Sequence, residues 1–270
     1  MSRVGLEVIQ QIAREVGEIL RNVYQSGSYD VVLKSDQSPL TRADQLAHQH
    51  IVMQLTKYYP DIPILSEENA DAWSYSERQQ WRNFWLVDPL DGTREFIDKN
   101  DQFTVNIALI EKNQPILGVI YVPMSDVLYY AEKNQGAYKE VKSRVETLRK
   151  SEKPSDKLRV AVSRSHAKTT ISKPMLQWIK DGRDIEYVPV GSSLKFGLVA
   201  EGTVEMYVRL GPTMEWDTAA GHILVEEAGF FIQTKAGALT YNKPSLLNAP
   251  FIVCSQTTED YTLLFGGGSE

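Results

Sequence analysis

The N-terminal part of the chain contains two stretches in which apolar positions recur with a helical period. In residues 3–25 apolar side chains return every three or four positions, which predicts an amphipathic helix packed against a core. A second such pattern covers residues 41–58. Its start is marked by Thr41 with Asp44 three positions later, the spacing of a capping pair. Both segments are predicted to be packing helices.

From Phe84 onward the pattern changes to short β-branched and aromatic runs separated by turn sequences. This succession predicts a largely antiparallel sheet. Residues 140–158 are rich in charge and include Lys-Pro-Ser-Asp, which predicts a boundary near residue 155. The chain is thereby divided into an N-terminal half, 1–155, and a C-terminal half, 156–270.

Beyond that boundary the sequence predicts alternating strands and helices. The predicted strands are 159–163, 186–190, 203–209 and 251–254, and the predicted helices are 172–181, 193–201 and 217–228. Alternation of this kind is typical of α/β proteins. The fold class expected from the pattern is therefore α/β (α+β), with an antiparallel sheet in the first half.

Composition narrows the classes of function. Of the 270 residues, 42% are hydrophobic and 24% are charged, the balance of a globular protein rather than a disordered or collagen-like one. The net charge of −6 disfavours a broad basic surface for nucleic acid. No apolar run approaches the ~20 residues of a transmembrane segment, and the N-terminus lacks the apolar core of a signal peptide. We expect a cytoplasmic protein, with peripheral contact at the cytoplasmic membrane face and the oligomeric state left open.

The candidate chemistry lies in carboxylates. Cys254 is the single cysteine, which excludes an internal disulfide and a thiolate zinc site but leaves open a hard-metal site. The apolar run 84–87 predicts a strand that ends at Asp88, after which the chain turns through Pro89 to Asp91. Two carboxylates so close resist joint ionisation unless a cation lies between them. The alternative is an Asp-Gly turn with a capping aspartate, the commoner meaning of such a peptide.

Two further acidic residues stand in similar settings. Glu67 follows the short apolar strand 62–65, and Asp217 precedes the small residues 219–221 at a predicted helix start. Taken alone, the first is typical of a solvated charge pair and the second of a helix cap. Together with the two aspartates after Trp85 they form a set of oxygen donors, which favours Mg²⁺ over zinc or copper.

Six separated segments resemble the motifs of one enzyme superfamily. Three are similar to those of the lithium-sensitive, Mg²⁺-dependent inositol monophosphatases: LSEE (65–68), WLVDPLDGT (85–93) and WDTAAG (216–221). Three more resemble the branch formed by bacterial 3′(2′),5′-bisphosphate nucleotidases of the CysQ type: KSDQSPLTRAD (34–44), SRSHA (163–167) and GSSLKF (191–196). The resemblance implies a layered α/β/α/β/α sandwich.

The resemblance also implies a metal site. Glu67, Asp88 and the main-chain carbonyl of Leu90 are expected to hold one ion, while Asp88, Asp91 and Asp217 hold a second. Two or three Mg²⁺ ions per active site are expected. Two such ions can clamp an in-line displacement at phosphorus.

The catalytic dyad implied by the resemblance is Thr93 with Asp44, which orient and deprotonate the attacking water. This gives Asp44 a second role besides helix capping. The N–H groups of Gly92 and Thr93 are expected to hold a phosphoryl oxygen.

Substrate choice is expected to lie in the second half of the chain. Lys195 is expected to meet a second phosphate as a point charge, His166 to bond phosphate or base, and Ser163 and Gly191 to line the nucleotide cleft. The alternatives are a solvated lysine at a helix start and an ordinary strand exit at 163–166. The residues expected to contact substrate are Glu67, Leu90, Asp91, Gly92, Thr93, Ser163, His166, Gly191, Lys195 and Asp217.

The function implied is a Mg²⁺-dependent phosphomonoesterase that converts adenosine 3′,5′-bisphosphate to AMP and phosphate in sulfate assimilation or nucleotide recycling. The sulfated precursor of this nucleotide is a further candidate substrate. One alternative is an inositol monophosphatase or a sugar bisphosphatase, which would share every metal motif. Another is a non-catalytic nucleotide or metal sensor, which an intact ligand set with Thr93 disfavours.

Overall fold

A computed structural model describes residues 5–27, 31–33, 39–150, 157–164 and 184–255. The helices are α1 (Leu6–Ser26), α2 (Arg42–Tyr58), α3 (Tyr75–Arg78), α4 (Thr93–Ile97), α5 (Leu194–Ala200) and α6 (Glu215–Glu227), with a 3₁₀ helix at Glu67–Ala72. The predicted helices at 3–25, 41–58, 193–201 and 217–228 are thus confirmed to within a few residues. The predicted helix at 172–181 lies outside the described residues. No helix in the described ranges is both long enough and apolar enough to cross a bilayer.

The first sheet has seven strands in the order β3-β4-β5-β6-β7-β8-β9. The strands are β3 (Ile64–Ser66), β4 (Asn83–Asp91), β5 (Thr104–Glu111), β6 (Gln114–Val122), β7 (Val127–Glu132), β8 (Gly136–Val141) and β9 (Arg144–Leu148). All neighbours are antiparallel except β3 and β4, which confirms the predicted antiparallel sheet.

Part of the charged segment 140–158 is a strand rather than a connection. Lys142 and Ser143 form a tight turn with φ of 48° and 64°, and β9 then pairs back onto β8. This outermost strand is exposed over most of its length, so its residues lack the apolar alternation that reveals a strand in sequence. The predicted boundary near residue 155 falls outside the described residues and stays a prediction.

The second sheet has five strands in the order β11-β10-β12-β14-β13. These are β10 (Lys157–Ser163), β11 (Asp184–Val190), β12 (Met206–Arg209), β13 (Phe231–Thr234) and β14 (Phe251–Cys254). Strand β10 runs parallel to β11 and β12, and the other pairs are antiparallel. The four strands predicted beyond residue 155 are confirmed. A small separate ribbon joins β1 (Val32–Leu33) to β2 (Pro39–Leu40).

The first sheet is buried on both faces. Along β5, Val105 and Ile107 pack with α1 and α2, whereas Ala108 and Ile110 pack with α5, α6 and the second sheet. The helix pair α1–α2, the first sheet, the pair α5–α6 and the second sheet therefore follow one another as layers. They confirm the α/β fold class.

Helix α6 packs unusually close to its neighbours. A Cβ on Gly118 of β6 would lie 2.5 Å from Ile223, and a Cβ on Gly221 would lie 2.2 Å from the ring of Phe196. Because these two glycines have no side chain, α6 packs directly against strand β6 on one side and against α5 on the other. This contact fixes the start of α6, with Asp217 in its first turn, relative to the first sheet.

Candidate active site

A β-bulge in β4 brings Asp88 and Asp91 to the same face of the first sheet. Asp88 pairs with Asn106 and Asp91 pairs with Thr104, so β4 advances three positions while β5 advances two. Because side chains alternate along a strand, residues three apart would otherwise face opposite sides. The prediction that the strand ends at Asp88 and turns through Pro89 was wrong, because a bulge can absorb a proline, which lacks an N–H.

Glu67 reaches this region from the neighbouring strand. Strand β3 runs parallel to β4, and Ser66 pairs with Val87, so the next residues along the two chains are Glu67 and Asp88. Glu67 opens the 3₁₀ helix that follows β3. Its charge lies close enough to raise the pKa of Asp88.

Asp217 approaches from the opposite side of the site. The helix begins at Glu215 with Met214 as its N-cap, so Asp217 is not the N-cap that its sequence setting suggested; it lies at the third helical position, and its Oδ2 accepts the N–H of Met214 at 2.8 Å. Burial and the charges of Asp91 and Glu67 raise its pKa well above the usual range. Asp217 therefore stabilises the start of α6 and also belongs to an acidic cluster with Glu67, Asp88 and Asp91.

The charge of Asp88 is poorly compensated. Its side chain is 1% exposed, and its pKa is raised well above the usual value, first by burial and then by Glu67, Asp91 and Asp217. The main-chain N–H of Leu90, which donates to Asp88 Oδ1 at 3.1 Å, offsets only part of this effect. A cation among these carboxylates would relieve both the desolvation and the repulsion.

The chemistry of the donors fits a hard divalent cation. Every side chain in the cluster offers carboxylate oxygen, the ligand that Mg²⁺ prefers. Across the described ranges, no group of three or more His, Cys, Asp or Glu side chains lies together closely enough to hold a metal ion. These carboxylates are therefore candidate ligands because of their donor atoms and their mutual effect on pKa, and they do not form a ready-made cage.

Thr93 and Asp44 meet at the start of α4. The Thr93 hydroxyl donates to Asp44 Oδ1 at 3.2 Å and lies 3.4 Å from the carbonyl oxygen of Leu90. Asp44 Oδ2 accepts the N–H and the hydroxyl of Thr41 at 2.7 and 2.6 Å. The predicted capping pair is confirmed, and the other oxygen of the same carboxylate is used across the site. Between Asp91 and Thr93 stands Gly92, whose φ of 91° is a conformation that favours glycine.

Lys195 is buried rather than solvated. It is 3% exposed, and its ammonium donates to the carbonyl oxygens of Val190, at 3.1 Å, and Ser192. Burial lowers the pKa of Lys195 to about 8, while the nearby carboxylate of Asp91 acts in the opposite direction. The nitrogen also lies 5.3 Å from the ring centre of Tyr207.

A cavity of about 180 Å³ joins the acidic cluster to the region of Lys195. It is lined by five predicted site residues: Asp91, Gly92, Ser163, Lys195 and Asp217. Asp44, Glu67, Asp88, Leu90 and Thr93 stand outside this lining. The N–H of Gly191 donates to Gln102 Oε1 at 2.8 Å, and Gly191 is likewise outside the lining. His166 lies outside the described residues.

Several lining residues were missed by the reasoning from sequence. Arg94 and Glu95 line the cavity directly after Thr93, a position from which they could have been proposed. Tyr207 comes from β12 and carries no motif that marks it, whereas Arg209 on the same strand was expected from sequence only as an alternative to Lys195. Arg209 is held by the carbonyl oxygens of residues 211 and 212, at 3.2 and 2.7 Å.

Comparison with known proteins places this geometry in a family. The profile of the inositol monophosphatase family matches residues 2–264. The chain is 42% identical over 251 residues to the 3′(2′),5′-bisphosphate nucleotidase CysQ of Salmonella typhimurium, which covers 92% of this chain and 98% of that protein. It is 40% identical over 264 residues to the CysQ of Haemophilus influenzae, with 96% of each covered.

Solved structures agree with this assignment. The crystal structure of CysQ from Bacteroides thetaiotaomicron, a bacterial member of the inositol monophosphatase family, superposes with a TM-score of 0.80 at 36% identity and covers 93% of this chain and 97% of that one. The extragenic suppressor protein suhB from Bartonella henselae gives a TM-score of 0.73 at 25% identity, covering 97% and 98%. The chain therefore belongs to the inositol monophosphatase family and, within it, to the CysQ branch.

Proposed function

We propose that this chain is a Mg²⁺-dependent 3′(2′),5′-bisphosphate nucleotidase that converts adenosine 3′,5′-bisphosphate to AMP and phosphate. The observation that carries the proposal is the lining of one cavity by Asp91 and Asp217 together with Lys195 and Arg209. The acids can hold divalent cations beside the phosphate that is transferred. The two basic groups can meet the phosphate that stays. The names of the CysQ relatives support the same substrate class.

The metal ligands in this proposal are those that the resemblance implies. Glu67, Asp88 and the Leu90 carbonyl would hold one ion, and Asp88, Asp91 and Asp217 would hold another. When bound, two or three Mg²⁺ ions would supply the positive charge that stabilises the attacked phosphoryl group and the leaving oxygen. The raised pKa of buried Asp88 supports this role, because a cation would compensate its charge.

The chain's own residues would prepare the water. Because the Thr93 hydroxyl donates to Asp44 Oδ1, its oxygen is left to accept a hydrogen bond from the water. The water attacks phosphorus, its proton passes through Thr93 to Asp44, and the bond from phosphorus to the 3′ oxygen breaks. The leaving oxygen takes a proton from solvent. The N–H groups of Gly92 and Thr93 hold a phosphoryl oxygen as charge develops on it.

Specificity for a second phosphate would come from Lys195 and Arg209. Both groups are held by main-chain carbonyl oxygens, so their positions are fixed before substrate arrives. Ser163 lines the same cavity. The resemblance implies that His166 and Gly191 also contact the nucleotide. The sulfated precursor of the nucleotide also carries two anionic groups, so we include it as a second substrate. Both substrates would assign the enzyme to sulfate assimilation.

The experiment that tests the function is phosphate release from a panel of phosphomonoesters, with and without Mg²⁺. The panel contains adenosine 3′,5′-bisphosphate, 3′-AMP, inositol 1-phosphate and a sugar bisphosphate. We expect the nucleotide bisphosphate to give the highest kcat/KM and all activity to vanish in EDTA. A preference for inositol 1-phosphate or the sugar would assign a different member of the family. An absence of turnover on every substrate would favour the alternative of a non-catalytic nucleotide or metal sensor.

A further inference from the structure

Ser193 stands at the start of α5 without capping that helix. Serine at this position normally accepts a main-chain N–H from the first helical turn. Here φ and ψ are −69° and −5°, and the side chain makes no capping bond. Its hydroxyl instead bonds to two residues of β5: it donates to Asn106 Oδ1 at 2.7 Å and lies 2.7 Å from Thr104 Oγ1.

These three polar side chains form a buried connection between the sheet and α5. Thr104 and Asn106 are two residues apart on β5 and therefore point to the same face. Exposure is 0% for Thr104, 1% for Asn106 and 3% for Ser193. Polar groups so buried are retained only where their hydrogen bonds are made, so the connection has a defined geometry.

The same connection holds Asp91. The main-chain N–H of Ser193 donates to Asp91 Oδ2, and Asn106 Nδ2 reaches that oxygen at 3.4 Å. Both donors act on Oδ2, which leaves Oδ1 for other partners. Lys195 follows two residues after Ser193, and its ammonium bonds to the carbonyl oxygen of Ser192. One short segment thus joins the acidic cluster to the buried lysine.

We propose that Asn106 and Ser193 act as paired positioning residues that fix the separation between the Asp91 carboxylate and the Lys195 ammonium, and so set the preference for a substrate with two phosphates. This inference rests on the proposed function, in which Asp91 lies beside the transferred phosphate and Lys195 beside the retained one. Asn106 stands outside the cavity lining, whereas Ser193 lines the cavity beside Asp91 and Lys195. Each acts through the residue that it holds.

The test is a double-mutant cycle of Ser193→Ala and Asn106→Leu. Its measure is the ratio of kcat/KM for adenosine 3′,5′-bisphosphate to kcat/KM for 3′-AMP. A displaced Lys195 loses its charged contact with the retained phosphate, which 3′-AMP lacks, so each single variant should lower the ratio by about 10-fold or more. Any weakening through Asp91 affects both substrates and cancels in the ratio. The double variant should fall little further, because either change breaks the same connection.

Thr234→Val serves as the matched control. Thr234 is 5% exposed, its hydroxyl bonds to the carbonyl of Gly237 in the turn after β13, and it lies outside the cavity lining. The substitution removes a hydrogen bond made by a buried hydroxyl, as Ser193→Ala does. Thermal unfolding shows whether the variants are folded, and the control should lose stability without changing the substrate ratio.

A second readout does not depend on turnover. Asn106→Leu removes the donor to Asp91 and adds no charge. Calorimetric titration of the substrate-free protein with Mg²⁺ should show weaker binding in this variant by about 10-fold or more, and unchanged binding in the Thr234→Val control.

The outcomes separate this inference from the proposed function. If the unaltered protein shows no preference for the bisphosphate, the proposed function fails. If it does show the preference and the Ser193 and Asn106 variants keep it within about twofold of the control, the pairing is only structural and the inference is overturned. An equal loss on both substrates also overturns it, because specificity would then lie elsewhere.

Discussion

The hydroxyl of Thr93 donates to Oδ1 of Asp44, a residue 49 positions earlier in the sequence, while Oδ2 of the same carboxylate accepts two hydrogen bonds from Thr41. Each oxygen has a separate task. The capping bonds fix the orientation of the carboxylate at the start of α2, and the remaining oxygen is thereby aimed at Thr93. A helix cap and a proposed proton acceptor are compatible in one residue.

Removal of the Thr93 hydroxyl should therefore remove most of the activity. We expect Thr93→Val, which keeps the shape of the side chain, to lower kcat by about 100-fold or more, since positioned proton transfer contributes roughly that much. Thr93→Ser keeps the hydroxyl and should recover most of the rate. Steady-state kinetics on both variants measures the effect, and a Val variant with normal kcat would show that water is activated elsewhere.

Asp88→Asn should abolish activity and stabilise the metal-free fold. Burial and three neighbouring acids raise the pKa of Asp88. The folded state therefore keeps this proton to higher pH than the unfolded state, and metal-free stability falls as pH rises through that interval. A neutral amide avoids this loss. We expect a higher midpoint of thermal unfolding in EDTA at neutral pH, together with loss of turnover in Mg²⁺.

Asp217→Asn provides the comparison. Asp217 is proposed to hold one ion rather than two. The Asp217→Asn variant should therefore have reduced activity, and added Mg²⁺ should restore part of it. Turnover near the unaltered level in Asp88→Asn would contradict the assignment of Asp88 as the shared ligand. A lower unfolding midpoint in EDTA would show that its charge is compensated in the folded protein.

The sequence predicted those features that depend on local spacing. The capping pair at Thr41 and Asp44 was predicted because a capping box is defined within four residues. The bulge between Asp88 and Asp91 was missed, because an extra residue shows only when the partner strand is known. For the same reason the link from Asn106 to Ser193, 87 positions away, could not be predicted: neither residue stands in a motif that names the other.

The site was predicted to a similar degree. Asp91 and Asp217 were singled out from their motifs and line one cavity. The burial of Lys195 was not predicted, since a lysine at the start of a helix is usually solvated. What buries it is the second sheet beneath α5, including Tyr207, and that contact depends on tertiary structure alone.

Lys195→Met should affect binding more than chemistry. In the proposed complex the ammonium meets the phosphate that is not transferred, a contact present equally in the ground and transition states. A charged hydrogen bond is worth roughly 1.5–3 kcal/mol, so KM for adenosine 3′,5′-bisphosphate should rise by about 10- to 100-fold. Hydrolysis of 3′-AMP should change little. Equal slowing on both substrates would assign Lys195 to the metal site or the fold and direct attention to Arg209 and Arg164.

The same lysine predicts a pH dependence. Its pKa is lowered to about 8 by burial, so the charged form is present below that value and is lost as pH rises through it. KM for the bisphosphate should therefore rise between about pH 7 and about pH 9, whereas KM for 3′-AMP should not. Lys195→Arg keeps its charge over this interval and should remove the difference. A parallel rise for both substrates would contradict this origin.

Lithium should inhibit at concentrations far below those at which sodium does. Li⁺ is close to Mg²⁺ in size and has half its charge, so it can enter an oxygen site without stabilising the leaving group. Initial rates at matched ionic strength in LiCl and NaCl measure the difference. Equal insensitivity to the two salts would separate this protein from the lithium-sensitive behaviour that the resemblance implies.

The most direct test of the central claim is to follow adenosine 3′,5′-bisphosphate by ³¹P NMR in the presence of the enzyme, first in EDTA and then after addition of excess Mg²⁺. We predict no change in EDTA and, with Mg²⁺, loss of the 3′-phosphate signal, growth of inorganic phosphate and retention of the 5′-phosphate as AMP. Hydrolysis in EDTA, removal of the 5′-phosphate, or an unchanged spectrum after Mg²⁺ would contradict the account.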